Sequence, residues 1–222
     1  LLGLLHLPEQ QWLQDADTPA LARRTASLVR GYVVRHPEGA VHAAAFVDRR
    51  LEYGPAARAV LFPLVTGLIR GGPAPVRRAL APVLAAPGTG ASRYLRTELL
   101  DVLLEHERST GGTGESTVLD ALLAAAAEDA ERRSEPRTRV LTHRVGILWS
   151  RTPDGALLLD RALAGRVRGR PAFAGLLAGW ASADPGAWVP LLGTETLRAL
   201  RTHGTSMPMR TDGPGHGSLR PA

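Results

Sequence analysis

Cysteine, lysine and asparagine are all absent from the 222 residues of this sequence. Without cysteine there is no thiol nucleophile, no disulfide and no thiolate metal site. Without lysine there is neither a Schiff-base lysine nor the lysine of a phosphate-binding loop. All 27 basic residues are therefore arginines. Their excess follows from a GC-rich genome, because arginine codons are GC-rich and lysine codons are not.

Aromatic residues are also scarce, at 5% of the chain, and isoleucine occurs only at Ile69 and Ile147. This small supply of β-branched and aromatic residues argues against a large sheet. Hydrophobic residues make up 44% and charged residues 22% of the chain, which is typical of a globular domain. No apolar run reaches the roughly 20 residues that a membrane-spanning helix needs. The composition therefore predicts a core of leucine, alanine and valine packed between helices, in a cytoplasmic protein.

Apolar residues recur at helical spacing along most of the chain, separated by glycine and proline turns. Pro63 and Pro82 fall inside two of the predicted helices, where each predicts a kink or a break. The same periodicity places Leu28 and Val140 on buried faces and the charged stretch 128–135 in solvent. Trp149, Trp180 and Trp188 are predicted to pack in the core. The predicted helices cover about 18–36, 40–53, 55–70, 75–86, 91–107, 117–133, 137–150, 156–168, 171–181 and 194–202, the last one capped by Thr194.

The predicted helices form pairs that begin near residues 18, 55, 91, 138 and 171, at intervals typical of two-helix repeats. The segment Pro75-Val76-Arg77-Arg78-Ala79-Leu80 resembles the second helix of a HEAT repeat, in which Pro or Asp precedes Val-Arg and then Ala and Leu. This resemblance implies an all-α fold, an irregular HEAT-like α-solenoid of about five antiparallel helix pairs. We expect a repeat domain over 1–203 and a disordered tail over 204–222, where Gly, Pro, Ser and Thr dominate.

The chain as a whole resembles the helical C-terminal regions of large actinobacterial, Streptomyces-type proteins. Since it begins with leucine, we expect it to be a fragment of a longer protein. Resemblance of this kind implies a non-catalytic interaction or regulatory scaffold whose partner is a protein or an acidic segment. It carries over no catalytic, cofactor-binding or metal-binding residue, and no cofactor is expected.

Motifs that would indicate an enzyme are incomplete. The segment 111–117 reads GGTGEST and looks like a phosphate loop, but Glu115 occupies the place of the required lysine and would repel a phosphate. The seven histidines form no His-Glu-x-x-His pattern, and no Gly-x-Ser-x-Gly turn supports a catalytic serine. An enzyme whose site is assembled from scattered residues stays open, but a non-catalytic chain is favoured.

Positive charge concentrates in one segment, 137–170, which holds eight arginines and two aspartates. The segment's net charge of +6 equals the formal charge of the whole chain, so the remainder sums to zero. It is compatible with nucleic-acid binding through phosphates, with a patch for an acidic protein, or with a solvated arginine face. The residues that cluster near one predicted helix end, and that we therefore predict to bind a partner, are Arg161, Arg166, Arg168 and Arg170.

Overall fold

The computed structural model describes residues 18–53, 55–88, 90–110, 117–132 and 135–203. Within these ranges the chain forms eleven α-helices and one short 3-10 helix, and no strand. The α-helices are α1 (Thr18–Arg35), α2 (Gly39–Leu51), α3 (Pro55–Gly71), α4 (Ala74–Ala85), α5 (Gly90–Ser109), α6 (Thr117–Glu131), α7 (Glu135–Trp149), α8 (Pro153–Gly169), α9 (Pro171–Ala183), α10 (Pro185–Trp188) and α11 (Thr194–Thr202). The prediction of an all-helical protein is confirmed.

The expected breaks at proline do not occur, because α3 continues through Pro63 and α4 through Pro82. A proline within a helix leaves the carbonyl four residues earlier without its usual donor. Those positions are Ala59 and Arg78, and both residues are exposed. Water can therefore solvate the two carbonyls, which lowers the cost of keeping each helix whole.

Helices two apart in sequence pack side by side. Helix α1 packs against α3 and α3 against α5, while α2 packs against α4, α4 against α6 and α6 against α8. The alternation changes after α8, where α11 packs on α8, and α9 contacts both α6 and α8. Contact between α5 and α7 is much smaller than contact between α3 and α5. That loose pair positions the candidate site described below.

Helix α6 lies at the centre of the packing, since it contacts α4, α7, α8 and α9. Its inward side chains are almost completely buried, in agreement with the leucine pattern of the sequence. The prediction that Trp149, Trp180 and Trp188 belong to the core is also confirmed. The ring centroids of Trp180 and Trp188 are 5.0 Å apart, and the Trp188 centroid lies 5.1 Å from that of His143.

Three predictions of burial are wrong. Leu28 is 42% exposed and Val140 is 57% exposed, whereas Asp129, in the stretch predicted to be solvated, is only 4% exposed. Helix α1 buries the face formed by Ala22, Ala26, Val29 and Val33, since small side chains let helices approach closely. Val140 is exposed because the adjacent α5 does not cover this side of α7.

The prediction that Thr194 caps the last helix is also wrong. The N-cap residue of α11 is Gly193, and no side chain of α11 itself caps the helix. The carboxylate of Asp160 on α8 accepts hydrogen bonds from the backbone N–H groups of Glu195 and Thr196, at 3.0 and 2.8 Å. The hydroxyl of Thr196 donates to the same aspartate at 2.7 Å. A cap supplied by another helix cannot be seen in the local sequence.

Several sequence predictions fall outside the described residues. These are the disordered tail at 204–222, most of the glycine-rich segment 111–117, the apolar start of the chain, Trp12, His6 and His216. Among the helices that the structure does describe, none combines the length and the apolar character needed to cross a bilayer.

Candidate binding furrow

A furrow runs between α5 and α7, and we call it the α5–α7 furrow. Its first part has a volume of about 570 Å³ and its second part about 450 Å³. The first part is lined by residues 93–100 of α5 and 136–144 of α7, and the second by residues 101–108 and 144–151. Both helices therefore advance along the furrow in the same direction, so α5 and α7 are parallel. The C-terminal end of α4 closes the first part with Leu84, Ala85 and the turn that follows.

Four arginines line the first part of the furrow, and no carboxylate does. Arg93 is exposed and forms no ion pair within the described ranges. Arg144 is about one-third exposed and pairs with Asp101 on α5. Apolar side chains, including Leu100 and Val140, complete the lining. The first part of the furrow thus combines a positive wall with an apolar one.

Arg96 is the most deeply buried of the four, with only 5% of its side chain exposed. Its Nη2 donates to Asp48 Oδ1 at 2.9 Å and to Glu52 Oε1 at 2.6 Å, while its Nη1 donates to the Val83 carbonyl at 2.6 Å. One guanidinium therefore ties α5 to the end of α2 and to the last turn of α4. Its positive charge also lies favourably at the negative end of the α4 dipole.

Arg137 lines the same part of the furrow but is less well satisfied. Its Nη2 donates to the Ala85 carbonyl, and its Nη1 lies 3.8 Å from Asp129 Oδ2, too far for a hydrogen bond. Burial lowers the pKa of the Arg137 guanidinium, an effect opposed by Asp129 and reinforced by the positive charges of Arg93 and Arg96. The three arginines therefore repel one another at this end of the furrow, and a bound anion would relieve that repulsion.

Asp129 is the buried counterpart of Arg137, and burial raises the pKa of its carboxyl because lost hydration outweighs the attraction of Arg137. The unfolded chain releases this proton near pH 4, and the folded chain only at higher pH. Between these values the folded state binds more protons, so the free energy of unfolding falls as pH rises. Asp129→Asn removes the titrating carboxyl group and with it this fall in the free energy of unfolding. We expect the stability of the variant relative to wild type to increase as pH rises above about 4.

Denaturant unfolding at a series of pH values measures this difference. Glu98→Gln, at an exposed position on α5, is the control and should show no comparable trend. A difference between Asp129→Asn and wild type that stays constant with pH, or shrinks as pH rises, would contradict the assignment.

The second part of the furrow carries both signs of charge. Asp101, Glu105, Arg108, Arg144 and Arg151 line it, beside Leu104, Ile147 and Leu148. Arg108 pairs with Glu105, three residues away on α5. Of the two parts of the furrow, only the first is lined by arginines and by no carboxylate of the described residues.

The structure places the arginines singled out from the sequence in different contacts. Arg166 Nη2 donates to the backbone carbonyl of Asp120 on α6 at 3.2 Å. Arg168 lies 3.9 Å from Glu195 of α11, and Arg170 Nη1 pairs with Glu131 of α6 at 2.7 Å. Arg161 is exposed on α8. Three of the four thus hold neighbouring helices, and none of the four lines the furrow.

Half of the arginines that line the furrow could be grouped from the sequence alone. Arg137, Arg144 and Arg151 lie in the basic segment 137–170 and recur every seven residues, so they share one face of a helix. That spacing was the available signal. Nothing in the sequence connects Arg93 or Arg96 with them, because the two groups meet only when α5 and α7 lie side by side.

Across the described ranges, no three His, Cys, Asp or Glu side chains come together in a group able to hold a metal ion. His36, His42 and His203 are exposed, while His106 and His143 are half-buried on separate helices. Comparison with protein-family models, with curated proteins and with solved structures found no match to this chain.

Proposed function

We propose that this chain is a non-catalytic protein-interaction scaffold, a HEAT-like α-solenoid that binds an acidic segment of a partner protein in the α5–α7 furrow. The single observation that carries this proposal is the chemistry of the first part of the furrow. Four arginines line it together with apolar side chains, and no carboxylate of the described residues is part of that lining. Such a surface complements a segment that presents acidic and apolar residues together.

The solenoid arrangement is supported by the alternating contacts of α1 to α8, in which every second helix packs side by side. Parallel packing of α5 and α7, and antiparallel packing of α4 and α5, agree with stacked helix hairpins. The second relation follows because Arg77 near the start of α4 pairs with Glu107 near the end of α5 at 3.0 Å, while Arg96 reaches Val83 at the other end. Stacked hairpins leave grooves between neighbouring helices for partners.

A nucleic acid suits the furrow less well than an acidic protein segment. Among the residues that the structure describes, no aromatic side chain lines the first or the second part of the furrow, so bases would have nothing on which to stack. The basic segment 137–170 is also divided, since α7 faces the furrow while Arg161 and Arg168 lie on α8.

Reversing the exposed charges of the furrow tests the proposal. The ligand is a fluorescein-labelled peptide of about 18 residues, built from glutamate, leucine and alanine, and binding is followed by fluorescence anisotropy. We expect Arg93→Glu combined with Arg151→Glu to weaken binding about tenfold, because both attractions become repulsions. Added salt should weaken wild-type binding, as exposed charges are screened.

Arg161→Glu is the matched control, because it reverses an exposed arginine that lies on α8 outside the furrow. It should leave peptide affinity unchanged. Single-stranded and duplex oligonucleotides form a second arm of the experiment. The proposal is wrong if wild type fails to bind the peptide, if Arg161→Glu weakens binding equally, or if an oligonucleotide binds more tightly than the peptide.

A further inference from the structure

We infer that the segment seated in the α5–α7 furrow is an amphipathic α-helix of the partner that carries carboxylates seven residues apart. This inference rests on the proposed function and specifies the conformation and charge spacing of its ligand. The observation behind it is the regular order of side chains along the furrow face of α7, together with the apolar residues of α5 that face it.

The furrow face of α7 and the turn that follows it alternates arginine with apolar side chains. Arg137 and Arg144 lie seven residues apart on α7, which places their Cα atoms roughly 10.5 Å apart along the helix axis, and Arg151 follows at the same sequence interval in the turn after α7. Apolar pairs occupy the turns between these arginines, namely Val140 with Leu141 and Ile147 with Leu148. Val140 and Ile147 are 57% and 41% exposed, so this apolar surface is uncovered in the chain alone.

Only a helical ligand matches this spacing closely. A helix places residues i, i+7 and i+14 on one face at the same interval of roughly 10.5 Å. In an extended strand, same-face residues lie about 6.6 or 13 Å apart, so they cannot follow three arginines in register. In a polyproline II segment, same-face residues recur every three residues, at about 9.3 Å. Over the two intervals between three such residues, the segment is therefore more than about 2 Å too short.

Helix α5 provides the opposite wall with a similar order. Arg93 and Arg108 lie near its two ends, and Leu100 and Leu104 lie between them, each 7% exposed. A ligand helix resting on α5 and α7 would therefore place its apolar stripe against leucines of both walls. Its acidic residues would lie at the edges, where guanidinium groups remain accessible to solvent.

Asp101 competes with the ligand for the middle arginine. Its carboxylate pairs with Arg144, and its side chain is 55% exposed. A ligand carboxylate at this position must displace Asp101 or share the guanidinium with it. Asp101→Asn removes the competing charge, and because exposed pairs contribute little to stability, the fold should tolerate the change. The inference thus predicts a gain of affinity, which a misfolded variant would not produce.

Two peptides of the same composition and helix propensity test the spacing. One carries glutamates at i, i+7 and i+14 with leucines between them, and the other keeps the leucines but moves the glutamates to the opposite face. We expect the matched peptide to bind about tenfold more tightly in fluorescence anisotropy. Circular dichroism should show that its helix content rises on binding.

Asp101→Asn should tighten binding of the matched peptide about threefold, within the range measured for exposed ion pairs. Glu98→Gln is the control, since Glu98 pairs with Arg58 on α3 rather than with a furrow residue. Equal affinities for the two peptides, or no gain with Asp101→Asn, would overturn the helical spacing while leaving acidic-segment binding intact. Failure of both peptides to bind would instead overturn the proposed function.

Discussion

Gly193→Ala is expected to destabilise the protein by about 3 kcal/mol, because the new methyl group would overlap the Asp160 carboxylate that caps α11. A Cβ at position 193 would lie 2.7 Å from Asp160 Cβ and closer still to its carboxyl group. The backbone at Gly193 is extended, with φ of −81°, so the cost comes from space rather than from backbone strain. For a chain of this length the melting temperature should fall by roughly 6–12 °C.

The cost at position 193 combines overpacking with loss of the cap. Asp160 is 8% exposed and sits too close to the glycine to move without breaking its bonds to Glu195 and Thr196. Overpacking in a well-packed interior costs roughly 1–3 kcal/mol, and loss of an N-cap interaction costs roughly 0.5–2 kcal/mol. Thermal and chemical unfolding followed by circular dichroism measure the sum.

Gly179→Ala supplies the matched control, because it is the same substitution inside α9 at a site where a Cβ meets nothing within 4 Å. It should raise stability by about 0.5–1 kcal/mol through helix propensity. A second check uses Asp160→Ala, in whose background Gly193→Ala should cost much less than it does in wild type. Additive costs of the two substitutions, or equal effects at positions 179 and 193, would show that Asp160 is not the cause.

The helices of this chain were largely predictable because their signals are local. Turn residues and apolar periodicity located ten helices to within a few residues at most ends. The largest error at a helix start is at α8, which begins at Pro153 rather than near 156. Thr152, first assigned to the connecting loop, is its N-cap and accepts a hydrogen bond from the Gly155 N–H at 3.1 Å.

The faces that each helix buries were less predictable, because burial depends on the neighbouring helix. Periodicity placed Val140 in the core, yet it lies at the furrow, where α5 and α7 separate. Asp129 looked like part of a solvated charged end, yet it is buried close to Arg137. The error at Val140 arises at the loose contact between α5 and α7, where the candidate site lies, and the error at Asp129 arises where α6 meets the start of α7.

The candidate site depends on contacts between residues far apart in sequence. Arg96 is 48 residues from Asp48 and 13 from Val83, and no local pattern marks it as different from the 26 other arginines. The sequence alone pointed to a cluster chosen by its density of charge, namely Arg161, Arg166, Arg168 and Arg170. Neighbouring positions on a helix point in different directions, and Arg166, Arg168 and Arg170 contact three different places on α6 and α11. Partner binding by this cluster stays a prediction.

Arg96→Met is expected to cost about 3 kcal/mol, since it removes a guanidinium of α5 that contacts both α2 and α4 at the base of the furrow. A hydrogen bond from a charged donor to a carbonyl such as that of Val83 contributes roughly 1.5–3 kcal/mol. Asp48 and Glu52 are about half exposed, so water can solvate their carboxylates once Arg96 is gone. The loss of each of these ion pairs should therefore cost no more than about 1 kcal/mol. Methionine keeps most of the buried aliphatic stem, which limits the loss of packing.

Arg139→Met, at an exposed position on α7, is the control and should change stability by less than about 0.5 kcal/mol.

Removing the carboxylates instead of the arginine separates charge from packing. Asp48→Asn combined with Glu52→Gln leaves a guanidinium that is 95% buried without an opposing charge, and uncompensated buried charge is strongly destabilising. In that background Arg96→Met should cost much less than it does in wild type, and it should restore stability if the unpaired charge is the larger penalty. Equal costs in the two backgrounds would mean that Arg96 acts through its contact with the end of α4 alone. Unfolding of all four proteins in denaturant decides between these outcomes, because the coupling energy of the cycle isolates the attraction between Arg96 and its two carboxylates.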